Sequence, residues 1–265
     1  MHATDPSTHV KVRLAGAPNF RDMGGLRSVD GRRLRSGRLF RSGELSRLTD
    51  SDVSLLRKLQ IRTVLDLRSQ GEQQHWPSRW PDDTATERLD AHIDVDLRSG
   101  HAPLRQILEE DLSEAGARRL LMETYRRLPY ALTATLIQTV ERIAADGLPL
   151  LIHCTAGKDR TGFACACFLE AIGIARQDII ADYLQTNRYI DLNSMADTTG
   201  QVLERMLGLR ANRATLDIIN GVHQDYLDIA FETVVSEYGS MDAYLAQLGL
   251  DDSCRSHLRD LLLEA

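Results

Sequence analysis

A chain of 265 residues, 43% hydrophobic and 26% charged, suits one large globular domain with a sizeable core. Its net charge of −6 excludes a general nucleic-acid binder, which would be basic, and no apolar run approaches the roughly 20 residues of a transmembrane segment. The opening MHATDPSTHV has no apolar signal core, and the four cysteines (Cys154, Cys165, Cys167, Cys254) form no C-x-x-C pair, so a reducing, cytoplasmic setting is expected, with non-Sec export left open.

Residues 12–43, rich in Arg and Gly, are predicted to form short strands and turns. Arg21 and Asp22 lie in this stretch and either brace the loop that follows His153 from below or pair with each other. The arginines of 27–41 read as a solvated strand surface, with one or two left to attract phosphorylated substrates. Thr49 or Asp50 caps a predicted helix that carries Val53, Leu56 and Leu59 on one face. IRTVLDL (61–67) reads as a buried strand, the following SQGEQQHWPSRWPDDTATE as a loop, and 88–97 as a second strand. Residues 103–146 are mostly helical in pattern. Pro149 to His153 is a short apolar strand, 160–173 a helix, and 176–264 helical almost throughout, broken near Gly208, Gly221, Gly239 and Gly249. Strands alternating with helices imply an α/β fold with a mainly parallel sheet, whose ligands sit at the carboxyl ends of the strands.

His153 and Cys154 fall at such an end, in LPLLIHCTAGKDRTGFACACFLEAIGI (148–174). A strand that turns through a short loop into a helix aims successive N–H groups, and the positive end of the helix dipole, into one concavity. Gly157 and Gly162 permit the tight turn. A cysteine in such a field favours the thiolate, the nucleophilic form. Arg160 could grip two phosphate oxygens and stabilise a pentavalent transition state, with the loop amides of Thr155, Ala156, Gly157 and Lys158 holding the others. Thr161 could donate its hydroxyl to the sulfur, and Asp159 could protonate the departing oxygen. His153 is read as orienting the loop. The nucleotide-binding loop that also contains Gly-Lys is excluded. It needs a glycine five positions ahead of the glycine of the Gly-Lys pair and Ser or Thr after the lysine, where this chain has Ile152 and Asp159. Only three lysines occur against 29 arginines, which makes Lys158 an unusual choice for this sequence.

HCTAGKDRTG resembles the H-C-x-x-G-K-D-R-T-G signature of a bacterial tyrosine-phosphatase family. The resemblance extends through APNFRDMGGL, GRLFRSGELSRLT, IRTVLDLRSQGE, DYLQTN and YGSMDAYLAQLGL, so it covers most of 12–250. It implies a cysteine-phosphatase fold, a cysteinyl-phosphate intermediate, and no metal or cofactor. By it, Cys154 is the nucleophile, Arg160 the phosphate clamp, and Lys158 with Asp159 the distinctive pair. The lysine is also similar to that of phosphoinositide phosphatases, where an extra cation meets a second phosphate. The implied partners are phosphotyrosine proteins or phosphoinositides, with a helical lid within 183–225.

The general acid is the role with rivals. Trp80-Pro81-Asp82 matches the acid loop of classical tyrosine phosphatases, but Asp82 lies 72 residues before Cys154, on the wrong connection, and reads as a decoy. Asp66, at a strand end, and Asp94 and Asp96 are alternatives. Asp159 is the first choice because it shares the loop with Cys154. The chain is read as one phosphatase domain over 1–265, with sheet and loop in 12–175 and a helical part in 176–265. The rival functions are a phosphate-binding pseudophosphatase module and another cysteine-loop enzyme, a sulfurtransferase or arsenate reductase.

Overall fold

The protein is described here from a computed structural model covering residues 12–81, 85–95 and 102–265. Five strands form the central sheet in the order β1 (Arg21–Asp22), β3 (Leu39–Ser42), β6 (Leu150–His153), β4 (Thr63–Asp66), β5 (Glu87–Asp90). All neighbours pair in parallel except β1 with β3. The expected α/β architecture is therefore present.

β6 is central, and both its faces are covered, which is why LLIH reads as a continuous apolar run rather than an alternation. Leu39, Leu65, Leu150 and Ile152 point into the larger core. That core is filled by α4 (Glu114–Ala144), α5 (Asp159–Ala171) and α10 (Gln224–Tyr238), with α6 (Arg176–Leu184) beside them. Phe40, Val64 and Leu151 point the other way, against Leu56 of α1 (Asp50–Leu59). Thr49, not Asp50, caps α1, and Asp52 completes a capping box.

Three expectations are corrected. The stretch after β4 is not all loop: Gln70–His75 forms α2, capped by Ser69 and Glu72. Six residues give no readable apolar period, but S-x-x-E was a visible capping-box signal. Among the described residues the second strand spans 87–90, as a charged edge strand paired with β4, and 96–97 of the expected strand lie outside the described residues. The helical tail ends in a strand, β7 (Leu263–Glu264), antiparallel to β2 (Arg33–Leu34). The remaining helices are α3 (Ala102–Glu110), α7 (Thr186–Tyr189), α8 (Leu192–Leu207), α9 (Arg213–Asn220), α11 (Met241–Gln247) and α12 (Asp252–Leu262). Among the described residues no helix is long and apolar enough to cross a membrane.

Candidate active site

Residues 154–158 leave the carboxyl end of β6 and enter α5 at Asp159. Two of their carbonyls are held by donors from other segments. The Thr155 carbonyl accepts the Glu44 N–H at 2.9 Å, and the Gly157 carbonyl accepts Asn19 Nδ2 at 2.6 Å and Arg41 Nη2 at 3.0 Å. With these two carbonyls engaged, the N–H groups of 155–158, which have no backbone acceptor among the described residues, are left available to an anion. Gly157 makes the turn at φ +68°, and a Cβ there would sit 2.4 Å from the Ser42 carbonyl oxygen.

The clamp on Gly157 rests on a buried triad. Asp182 of α6 takes Arg21 Nε at 3.0 Å and Arg41 Nη1 at 2.8 Å, and Arg21 also bonds Asn19. Burial opposes the Asp182 charge, but the two guanidiniums hold its carboxyl below the usual range. Arg21 thus braces the loop from below, as one of its two expected uses, while Asp22 accepts the Gly24 and Gly37 N–H groups. Arg41 is not on a solvated surface: it is 1% exposed.

Arg160 is aimed by Glu72. Its Nη1 donates to Glu72 Oε2 at 2.7 Å and its Nη2 to Oε1 at 2.9 Å, a two-pronged pair. Nη1 also reaches the Leu67 carbonyl at 3.0 Å, and the Thr155 hydroxyl donates to Glu72. Glu72 was missed in the sequence because it sits 88 residues from Arg160, in a stretch read as loop. Burial would raise its carboxyl, but Arg160, Thr155 and the Ser69 amide hold it at about 2, against 4.5 ordinarily. A depressed carboxyl stabilises the fold above its unfolded value and loses that contribution as pH falls through the folded one. Glu72 therefore contributes stability at neutrality that is lost as pH falls from 4.5 through about 2. Thermal unfolding from pH 2.5 to 7 is expected to show a flatter acid dependence for Glu72→Gln than for the parent protein; parallel curves would contradict it.

His153 is fully buried, with Nε2 3.5 Å from Asp66 Oδ2 and Nδ1 3.4 Å from the Cys154 carbonyl oxygen. Burial lowers its pKa, outweighing the opposing pull of Asp66. Asp66, an alternative acid from the sequence, is committed elsewhere. Arg68 Nε donates to its Oδ1 at 2.8 Å and Nη2 to its Oδ2 at 2.6 Å, which keeps the carboxylate ionised in the interior. Asp94 is exposed beside Ile93, whose carbonyl lies 3.4 Å from Arg160 Nη1. Asp82 and Asp96 lie outside the described residues. The Thr161 hydroxyl is buried and makes no hydrogen bond among the described residues, and so none to Cys154. Lys158 Nζ donates to Asp159 Oδ1 at 2.8 Å and is nearly buried, rather than reaching toward solvent. Cys165 and Cys167 are core residues of α5, and burial pushes the Cys165 thiol up to about 11.

Beside Thr155 and Ala156 opens a pocket of roughly 490 Å³. Its lining includes Pro18, Glu44 and Trp76, together with Ile190 just ahead of α8 and Met195 and Val202 on that helix. The 183–225 region thus forms one side of the pocket that adjoins the loop.

Known proteins are similar to this chain over most of its length. A family model for the tyrosine phosphatase family matches residues 12–264. The triple specificity protein phosphatase PtpB of Mycobacterium tuberculosis is 36% identical over 276 aligned positions, covering 94% of this chain and 98% of PtpB. A putative tyrosine-protein phosphatase of Cupriavidus necator is 33% identical, covering 86% of this chain and 80% of its own. A solved structure of P. aeruginosa TpbA aligns at 19% identity and TM-score 0.31, over 83% of this chain and 94% of that one. With a cysteine loop, an aimed arginine and this match along nearly its whole length, the chain belongs to the tyrosine phosphatase family and is a cysteine-based phosphoric monoester hydrolase.

Proposed function

We propose that Cys154 is the nucleophile and that phosphotyrosyl protein is the principal substrate, with phosphoserine, phosphothreonine and phosphoinositides as further ones. The observation that carries this reading is the loop itself: the Thr155 and Gly157 carbonyls are taken by Glu44, Asn19 and Arg41, which leaves the N–H groups of 155–158 for an anion, and Arg160 is set by Glu72. Such a cradle is preorganised for a phosphoryl group and needs no rearrangement as charge develops.

The Cys154 thiolate attacks phosphorus. The Sγ–P bond forms as the bond to the leaving oxygen breaks, and that oxygen takes the proton of Asp159. Water then attacks the cysteinyl phosphate and returns its proton to Asp159. The Sγ–P bond breaks and the thiolate is restored. Thr155, Ala156, Gly157 and Lys158 supply the cradle, Thr161 donates its hydroxyl to the sulfur during turnover, and His153 supports the turn. Breadth of specificity is supported by the PtpB relative, named for three specificities. The pocket volume lies within the range of small-molecule sites, and its apolar wall on α8 suits a phosphorylated aromatic ring. On this reading the 183–225 region is a lid over one domain spanning 1–265, and the free thiols support a reducing, cytoplasmic setting. Kinship with phosphatases along nearly the full chain does not favour a silent phosphate reader, a sulfurtransferase or an arsenate reductase.

The test is phosphate release, in EDTA, from p-nitrophenyl phosphate, a phosphotyrosine peptide, a phosphoserine peptide and a phosphatidylinositol monophosphate. Fastest release from the phosphotyrosine peptide is expected, with measurable turnover of the other two natural esters. Release from none of the four would overturn the reading, and a chelator-sensitive rate would overturn the metal-free mechanism.

A further inference from the structure

The carboxylate of Asp159 is not a free rotor at the mouth of the loop. Tyr125, reaching from α4, donates its hydroxyl to Asp159 Oδ1 at 2.8 Å, the same oxygen that Lys158 Nζ meets at 2.8 Å. Behind it the Tyr125 and Tyr183 hydroxyls lie 2.5 Å apart. The one proton of Tyr125 is committed to Asp159, so Tyr183 must be the donor in that second bond. The result is a directed chain, Tyr183 to Tyr125 to Asp159. Both rings are buried and meet edge to face at 6.3 Å, and Tyr226 of α10 packs on Tyr125 at 5.8 Å. A Cβ on Gly162 would lie 3.0 Å from the Tyr183 ring, so the bare glycine is what lets that ring approach α5.

With two donors on Oδ1, that oxygen is an acceptor whether the group is ionised or not. A carboxylic acid accepts through its carbonyl oxygen and carries its proton on the other. The proton of Asp159 is thereby confined to Oδ2, which accepts no hydrogen bond among the described residues. We propose that Tyr125, supported by Tyr183, is a positioning residue that fixes Oδ2 of Asp159 as the oxygen that gives and takes the proton. This rests on the reading of Asp159 as the acid. A merely packing role is not suggested by the chemistry: a phenylalanine would fill the same space without a buried hydroxyl to satisfy. The charged and titratable groups facing Asp159 are Lys158 on its own loop, Tyr125 on α4, Tyr183 on α6 and Tyr226 on α10. Arg118 stands behind Tyr226 and Arg41 behind Tyr183.

The test is steady-state kinetics from pH 4.5 to 8 with phenyl phosphate, a poor leaving group, and p-nitrophenyl phosphate, a good one. The proteins are wild type, Tyr125→Phe, Tyr183→Phe, Asp159→Asn and the Asp159→Asn/Tyr125→Phe double variant. Tyr125→Phe is expected to lower kcat on phenyl phosphate about tenfold with KM unchanged, and on p-nitrophenyl phosphate far less. The alkaline limb of kcat should move to higher pH, because one donor to the carboxylate is gone. Tyr183→Phe should show the same pattern at about threefold, and Tyr125→Phe should cost nothing more in the Asp159→Asn background. An unmoved limb, equal losses on both esters, or an undiminished loss in the double variant would overturn the proposal while leaving Asp159 as the acid. Full turnover of phenyl phosphate by Asp159→Asn would overturn the acid assignment and this proposal together. Thermal unfolding of both phenylalanine variants near the wild-type midpoint would exclude a folding defect.

Discussion

Replacing Cys154 by serine is expected to abolish turnover, by at least about a thousandfold, while leaving anion binding in place. A serine hydroxyl is a far weaker nucleophile than a thiolate. The cradle is built from other groups. The amides of 155–158 and the Arg160 guanidinium, fixed by Glu72, remain where they were. Calorimetric titration with tungstate, together with phosphate release from a phosphotyrosine peptide, separates the two functions. Retained binding with lost turnover is the expected result. Ordinary turnover would place the nucleophile elsewhere, and loss of both would mean that the sulfur holds the loop together. Cys254→Ser, on α12 and away from the loop, is the comparison that should keep full activity.

Asp182→Ala is expected to cause the largest loss of stability. Asp182 is 4% exposed and neutralises two guanidiniums that are themselves buried, Arg21 at 5% and Arg41 at 1%. Removing one partner of a buried ion pair costs about 3–5 kcal/mol, chiefly because charge is left uncompensated in the interior. For a domain of this size that lowers Tm by roughly 6–20 °C. The loss should also reach the active site, since Arg41 is aimed by Asp182 and in turn pins the Gly157 carbonyl. Denaturant unfolding and kcat of the folded variant at low temperature measure both effects. A stability change under about 1 kcal/mol would show that water enters and solvates the arginines. Asp182→Asn, which keeps the shape and one acceptor, should lose less.

The same two sites show how the chain distributes its information. Cys154 to Thr161 could be read directly because one strand, one tight loop and one helix start are consecutive in the sequence, and their residue types are dictated locally. A small residue is needed where the loop meets the Ser42 carbonyl, and a short polar run where a helix begins. The α1 face, the central apolar strand and the glycine-ended helices were legible for the same reason: periodicity and caps are near-neighbour properties. α2 was not, because six polar residues carry no period, although Ser69 and Glu72 did carry a capping signal.

What the sequence by itself determined is thus the α/β class, the loop, its cysteine and arginine, and the chemistry they imply. Which groups aim those residues was decided only by the tertiary structure. Glu72 reaches Arg160 across 88 positions, Arg41 reaches Asp182 across 141, and Tyr125 reaches Asp159 across 34. Asp66 looked free at a strand end until its burial beside Arg68 was seen. A charged side chain declares its type in the sequence, but its partner is chosen by burial, because only in the desolvated interior must each charge find one.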